Sequence, residues 1–270
     1  MTDPADTDGV RQRHHGKRVY VAFAGLVVVT GLFWSGTLEW KKHLTVSGII
    51  VEGEHILTKD EIVKLSQISL KTNMYDADLS GIGANIEKNH FVKSVAVTRD
   101  APGIIRISVL ERTPIALLVP PGGAELLSVD EEGYVLPHAS SQSMFDLPVI
   151  SGVDSVAGIQ VGQRTTQGDI LAAIEVLDVA RRVSSELYYM ISEVRIRTGH
   201  DMVLYSADTG IPILFGRGDA AKKLVNLDAF WKQFVAQQGT QEIRYIDVRF
   251  DGQVVVSSRP AASQPAKKSS

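Results

Sequence analysis

Seven histidines are the first residues to test for chemistry: His14, His15, His43, His55, His90, His138 and His200. No pair of them has the H-E-x-x-H spacing that sets two imidazoles on one helix face around zinc. The chain contains no cysteine, which excludes thiolate metal sites, disulfides and thiol nucleophiles. Gly81-Ile82-Gly83-Ala84-Asn85-Ile86 begins like a dinucleotide-binding loop. It lacks the third glycine, however, and falls inside a predicted helix rather than after a strand. Neither a G-x-S-x-G elbow nor a G-x-x-x-x-G-K-S/T loop occurs. Arg217-Gly218-Asp219 reads as the lead-in to a helix with an aspartate cap. Asp130-Glu131-Glu132 reads as solvated charge at a hairpin. The sequence therefore nominates no catalytic residue, no metal ligand and no cofactor, and the expectation is a protein that is not an enzyme.

Composition narrows the class further. At 270 residues the chain exceeds what one compact core needs, so two folded units are expected. A net charge of -3 argues against a nucleic-acid partner held through phosphate contacts. Nothing suggests a small-molecule substrate.

One segment decides topology. From Val19 to Leu38 the chain carries no charged residue. Twenty residues in a helix span roughly 30 Å, the hydrocarbon thickness of a bilayer. Tyr20 stands near one end, Trp34 and Trp40 near the other, at the depths amphipathic rings prefer. Arg11, Arg13, Lys17 and Arg18 precede the run, so the positive-inside rule keeps the N-terminus in the cytoplasm. The run is longer than a signal-peptide core, and Phe33-Trp34-Ser35 is a poor cleavage context. A buried soluble helix would rarely be apolar on every face. The expected organisation is a cytoplasmic tail at 1–18, a transmembrane helix at 19–40 and an exported remainder.

Two units follow. In 44–118, Ile49-Ile50-Val51 predicts a short strand ended by Gly53. Thr58 and Glu61 fit a capping box. Leu79, Ile82 and Ile86 predict a second helix that starts near Asp76 or Asp78. Two strands then alternate buried positions, one with Phe91, Val95 and Val97, the other with Ile105, Ile107 and Val109. The Asp100-Ala101-Pro102-Gly103 turn between them has the type II pattern. The order β-α-α-β-β suits a small sheet under two helices.

In 119–258, Leu126–Val129 and Tyr134–Leu136 flank a hairpin signal at Asp130-Glu131-Glu132-Gly133. Thr166–Asp169 heads a helix with Ile170, Ile174 and Leu177 inside. Strands are predicted at Ile191–Arg197, Met202–Ser206 and Ile211–Phe215. A long helix from Asp219 to Gln238 carries Leu224, Leu227, Trp231 and Phe234 as its core stripe and stops at Gly239. Ile243–Phe250 and Val254–Ser257 close the unit through Asp251-Gly252. In Ile243–Phe250, Ile246, Val248 and Phe250 share the core face, and Tyr245, Asp247 and Arg249 the other. Residues 259–270 have no periodicity and predict a disordered tail.

Several segments carry a resemblance. Phe91–Pro102 and Ile105–Ala116 resemble a V-x-x-A-x-V-x-R-x-x-P strand pair, with Val95 at the position of its Ala, closed by Glu111-Arg112-Thr113-Pro114. Val51-Glu52-Gly53, Val129-Asp130-Glu131-Glu132-Gly133-Tyr134-Val135 and Leu147–Gly152 follow. So do Leu214-Phe215-Gly216 with Lys223-Leu224, and Ile246-Asp247-Val248-Arg249-Phe250. Taken together and in order, they make the exported part similar to the FtsQ/DivIB family.

The resemblance implies a POTRA domain at 44–118 and a C-terminal β domain at 119–258. The full fold expectation is α+β: one N-terminal transmembrane helix, the POTRA domain, then a mixed α/β domain with an antiparallel β-sheet. It also implies a division-site scaffold in the cell inner membrane that binds FtsB, FtsL and other divisome proteins and helps control septal peptidoglycan synthesis. By position, Arg249, Phe250 and Gly252 match residues that contact FtsB in the family. Val19 and Leu38 bound the anchor. Two competing readings were an envelope assembly or transport factor bearing POTRA units and an anchored envelope hydrolase. The former usually has several such units before a barrel, and for the latter no nucleophile can be named.

Overall fold

The computed structural model describes residues 20–21, 23–31, 44–123, 125–138, 146–235, 237 and 239–258. The tails expected at 1–18 and 259–270 lie outside them. So do Val19 and all of the 32–40 half of the expected span, Leu38 included. Residues 20–21 and 23–31 are helical, and their apolar side chains, such as Phe23 and Val29, are exposed. Among the described residues no helix is long and apolar enough to cross a membrane.

The folded part divides into two compact units. The first has the predicted order: β1 (Gly48–Glu52), α1 (Lys59–Ser66), α2 (Leu79–Ile86), β2 (Val92–Asp100) and β3 (Ile104–Glu111). The sheet runs β1-β3-β2, with β1 parallel to β3. Thr58 caps α1 as the sequence predicts. Its hydroxyl accepts the Glu61 N–H at 3.3 Å, and the Glu61 carboxylate accepts the Thr58 N–H at 2.8 Å. Asp78 accepts the Gly81 N–H at 3.0 Å and so opens α2. Ile62, Ile86, Ile105 and Ile107 are fully buried. Gly53 has φ +87°, and a Cβ there would collide with the Val109 carbonyl, which accounts for the glycine after β1. The turn between β2 and β3 is not type II. Its Ala101–Pro102 peptide is cis, and the Gly103 N–H closes on the Asp100 carbonyl at 3.3 Å.

The second unit is built on nine strands: β4 (Pro114–Leu118), β5 (Leu127–Asp130), β6 (Val135–Pro137), β7 (Val149–Ser151), β8 (Ile191–Ile196), β9 (Met202–Ser206), β10 (Pro212–Gly216), β11 (Ile243–Asp247) and β12 (Val255–Ser258). Their order is β12-β11-β10-β9-β8-β7-β4-β5-β6. Residues 114–118, placed with the first unit on sequence, pair with β5 and β7 in this larger sheet. The sheet is mixed rather than antiparallel, because β4·β7, β7·β8 and β10·β11 are parallel. Helices cause two of these pairings. α3 (Gly168–Val183) and α4 (Ser185–Met190) connect β7 to β8, and α5 (Ala220–Phe230) connects β10 to β11. Such crossovers return the chain in its original direction.

The helices bury one face of the sheet. Ile170, Ile174, Leu177, Leu224 and Leu227 pack with Ile150, Val194, Leu204, Phe215 and Ile246 into one core. α3 starts where predicted, but Gln167 at its N-cap makes no cap bond. Its amide instead donates to the Ser155 and Ala157 carbonyls, each at 2.6 Å. The long helix predicted to Gln238 is α-helical only to Phe230 and continues as a π turn over Trp231–Val235. Val235 is buried, whereas Phe234, expected in the core, is 49% exposed.

The second unit also takes in Glu54–Leu57, Glu87–Ser94 and the chain from Leu110 on, and within it Glu111 and Arg112 explain a run that sequence alone could only match. The buried Glu111 carboxylate accepts the N–H groups of His55, Ile56 and Leu57 at 3.1, 2.6 and 3.1 Å. Arg112 donates to Asp130 at 2.7 Å and Glu132 at 2.9 Å and lies 3.5 Å above the Tyr134 ring. Lys93 also reaches Glu132, at 3.0 Å. These hydrogen bonds, Lys93 first, hold the Glu132 carboxyl below its ordinary range.

Candidate protein interface

The strands at the end of the sheet carry the residues that the resemblance singles out. β10 and β11 run parallel, with Ile213 opposite Ile246 and Leu214 opposite Asp247. β12 returns antiparallel to β11, with Ile246 opposite Val256 and Asp247 opposite Val255. Ile246 and Val248 point into the core and are buried. The strand predicted to continue to Phe250 stops at Asp247. Phe250, assigned to the core face, is 53% exposed because it stands beyond the ladder.

Asp247 and Arg249 form a pair. The buried Asp247 carboxylate accepts the Arg249 backbone N–H at 3.0 Å, Nε at 2.9 Å and Nη2 at 2.6 Å. The Arg249 guanidinium holds the Asp247 carboxyl below its ordinary range. Gly216 lies under the Arg249 side chain; a Cβ there would stand 3.1 Å from Arg249 Cγ. Gly252 has φ +67° in the turn beyond, where the Gln253 N–H closes on the Phe250 carbonyl at 3.3 Å. Asp251 pairs with Lys222. Arg249, Phe250 and Gly252 thus lie together at the outer end of β11.

β12 is the last strand of the sheet in the described residues. Val255 and Val256 are exposed. A final strand presents one row of backbone N–H and C=O groups to whatever comes alongside. Next to it is a groove of about 580 Å³ lined by Phe230, Phe234, Glu242, Ile243, Val256 and Ser258 among others. The Phe230 and Phe234 rings stack at 5.4 Å with 20° between their planes. Sequence reasoning missed this groove because a uniform 3.6-residue period sends Phe234 inward. The π turn changes the facing of the last turn, and no residue pattern announced it.

The arrangement can bind a polypeptide. The edge offers backbone hydrogen bonds, the groove at the Ile243–Ser258 end accepts an apolar side chain, and Arg249 supplies a cation beyond the opposite end of β11. The described residues contain no group of histidine and carboxylate side chains that could hold a metal ion.

Comparison with known proteins agrees with both units. Residues 44–112 match the family described as POTRA domain, FtsQ-type, and residues 120–249 match cell division protein FtsQ/DivIB, C-terminal. Proteins named cell division protein FtsQ are similar over most of their length. The one from Rhodothermus marinus is 29% identical over 263 residues, which is 94% of this chain and 90% of the relative. That from Salinibacter ruber is 28% identical over 243 residues, covering 88% and 90%. That from Syntrophotalea carbinolica is 30% identical over 239 residues, covering 87% and 82%.

Proposed function

The chain belongs to the FtsQ/DivIB family of cell division proteins, and from that premise we propose that it is a membrane-anchored, non-enzymatic divisome scaffold that captures FtsB on β12. In this reading the helix of 19–40 crosses the inner membrane once, with its N-terminus in the cytoplasm and both folded units in the periplasm. FtsB, with FtsL, docks on the periplasmic part, and the complex helps control septal peptidoglycan synthesis.

One observation carries the docking step: β12 ends the nine-stranded sheet exposed, beside a groove with two phenylalanines. A partner strand laid along β12 takes its affinity from the backbone and its specificity from alternate side chains. Side chains that face the helix side enter the groove with Val256. A carboxylate farther along the partner meets Arg249 at the other end of β11, where it competes with Asp247. Arg249, Phe250 and Gly252 act as partner contacts, with Gly252 shaping the turn rather than touching by side chain.

The anchor rests on the uncharged run from Val19 to Leu38 and the four cations before it. Adding a reporter active only in the cytoplasm to the N-terminus tests it; an inactive reporter there overturns the proposed orientation. Docking is tested by measuring FtsB affinity for the purified full chain and for Arg249→Glu and Val256→Asp. Both side chains are exposed, but Arg249→Glu also removes the partner of the buried Asp247, so circular dichroism of each variant checks the fold before affinity is read. Each change should weaken binding by about tenfold or more. Unchanged affinity in both would remove β12 as the docking edge.

A further inference from the structure

A second pocket lies on the other side of the π turn from the phenylalanine groove. It has a volume of about 270 Å³ and is lined by Glu186, Tyr189, Asp208, Asp228, Trp231 and Lys232, together with Leu187 and Met190. Its lining comes from three separate places: α4, the turn after β9, and the end of the α5 helix with its π turn.

Three carboxylates face one ammonium there. Lys232 is already engaged with Asp228 at 2.9 Å, and Asp228 also accepts the Ser184 hydroxyl at 3.0 Å. Glu186 and Asp208 have no ion pair within 4 Å among the described residues. The pocket is therefore left anionic. It is also aromatic. Tyr189 is 61% exposed, a large apolar ring kept on the surface. It is held there by the edge-to-face contact of Tyr188, whose ring centroid is 5.2 Å away and whose hydroxyl is tied to the Ile115 carbonyl at 2.7 Å. Trp231 forms the opposite kind of wall, half-buried in the π turn. Turns of this kind recur at functional sites.

We infer that this pocket is a docking site for an arginine side chain of a partner polypeptide. A guanidinium is planar, is weakly hydrated and stacks on aromatic faces, while its N–H fork suits carboxylates. An ammonium has the charge but neither the plane nor the fork. An apolar side chain would give the exposed Glu186 and Asp208 carboxylates no charge partner. The inference does not depend on strand docking at β12, and either can fail without the other.

The test uses the full chain in mild detergent with Trp34→Phe and Trp40→Phe, which leaves Trp231 as the single tryptophan. The probe is acetyl-Gly-Arg-Gly-amide, with the citrulline peptide as its uncharged counterpart and the lysine peptide as a point charge. The arginine peptide should change Trp231 emission saturably and the citrulline peptide should not. The combined Glu186→Gln and Asp208→Asn variant should raise half-saturation about fivefold or more, and lysine should bind more weakly than arginine. No saturable change with arginine, an equal response to citrulline, or an unaltered half-saturation in the variant would overturn the site. Equal binding of lysine would overturn its preference for arginine.

Discussion

The two ends of the nine-stranded sheet are treated in opposite ways. At one end β6 is sealed: Val135 and Leu136 are fully buried, and the 158–166 loop closes on the strand. The Gly162 N–H donates to the Val135 carbonyl at 2.7 Å, the Val135 N–H to the Gln163 carbonyl at 2.9 Å, and the Thr165 N–H to the Gly133 carbonyl at 2.8 Å. At the other end β12 stands exposed, with valines where charged gatekeepers would discourage pairing. Uncovered strand edges invite association, and proteins usually blunt them. A chain that covers one edge with the nine-residue 158–166 loop and leaves the other apolar treats them as different objects. In the proposed reading the covered edge serves stability and the open one binding.

The sharpest contrast is energetic. Leu136→Ala should destabilise the second unit by about 2–5 kcal/mol, because it opens a cavity under a sealed strand. Val256→Ala at the open edge should change stability by no more than about 0.5 kcal/mol. Denaturant midpoints of the two variants check this, and similar losses would break the comparison. The charged pairs should follow the same rule. Arg112 and Asp130 are both largely buried beside the β5–β6 hairpin, so Arg112→Leu should cost about 2–4 kcal/mol by leaving Asp130 unpaired. Arg249 is half exposed although its partner Asp247 is buried, so water reaches one side of the pair and Arg249→Leu should cost less than Arg112→Leu, about 1–2 kcal/mol. Chemical denaturation measures both.

The smallest effect is in pH. Arg249 depresses the Asp247 carboxyl below its usual 3.8. A depressed folded-state pKa adds stability above the unfolded value and loses it as pH falls through the folded one. The gap in Tm between the native chain and Asp247→Asn should be constant above the usual carboxylate range and shrink as pH falls below it. A gap that holds steady through that range would show that the pair contributes nothing to folding.

How far the sequence could be read differs between the same two regions. Alternation along β3 and the Thr58–Glu61 box specified the first unit nearly element by element, because each signal is local. The nine-stranded sheet was legible as strands but not as an order. Nothing in Val149–Ser151 or Pro114–Leu118 says that they lie side by side and parallel; that follows from where α3, α4 and α5 carry the chain. Glu111 and Arg112 could be matched to a family but not explained, since their partners are three backbone N–H groups and a hairpin carboxylate distant in sequence. At the candidate interface, Asp247 pairing with Arg249 was foreseeable from their spacing on one face. Phe250 and Phe234 were not, since one lies past an early strand end and the other in a π turn. The family match itself stops at residue 249, short of β12.

Hydrogen exchange of the full chain with and without FtsB tests the central claim most directly. Amides of 255–258 should become protected on binding while those of 135–137 stay as they were. Tight FtsB binding with β12 exchanging at its free rate would contradict it.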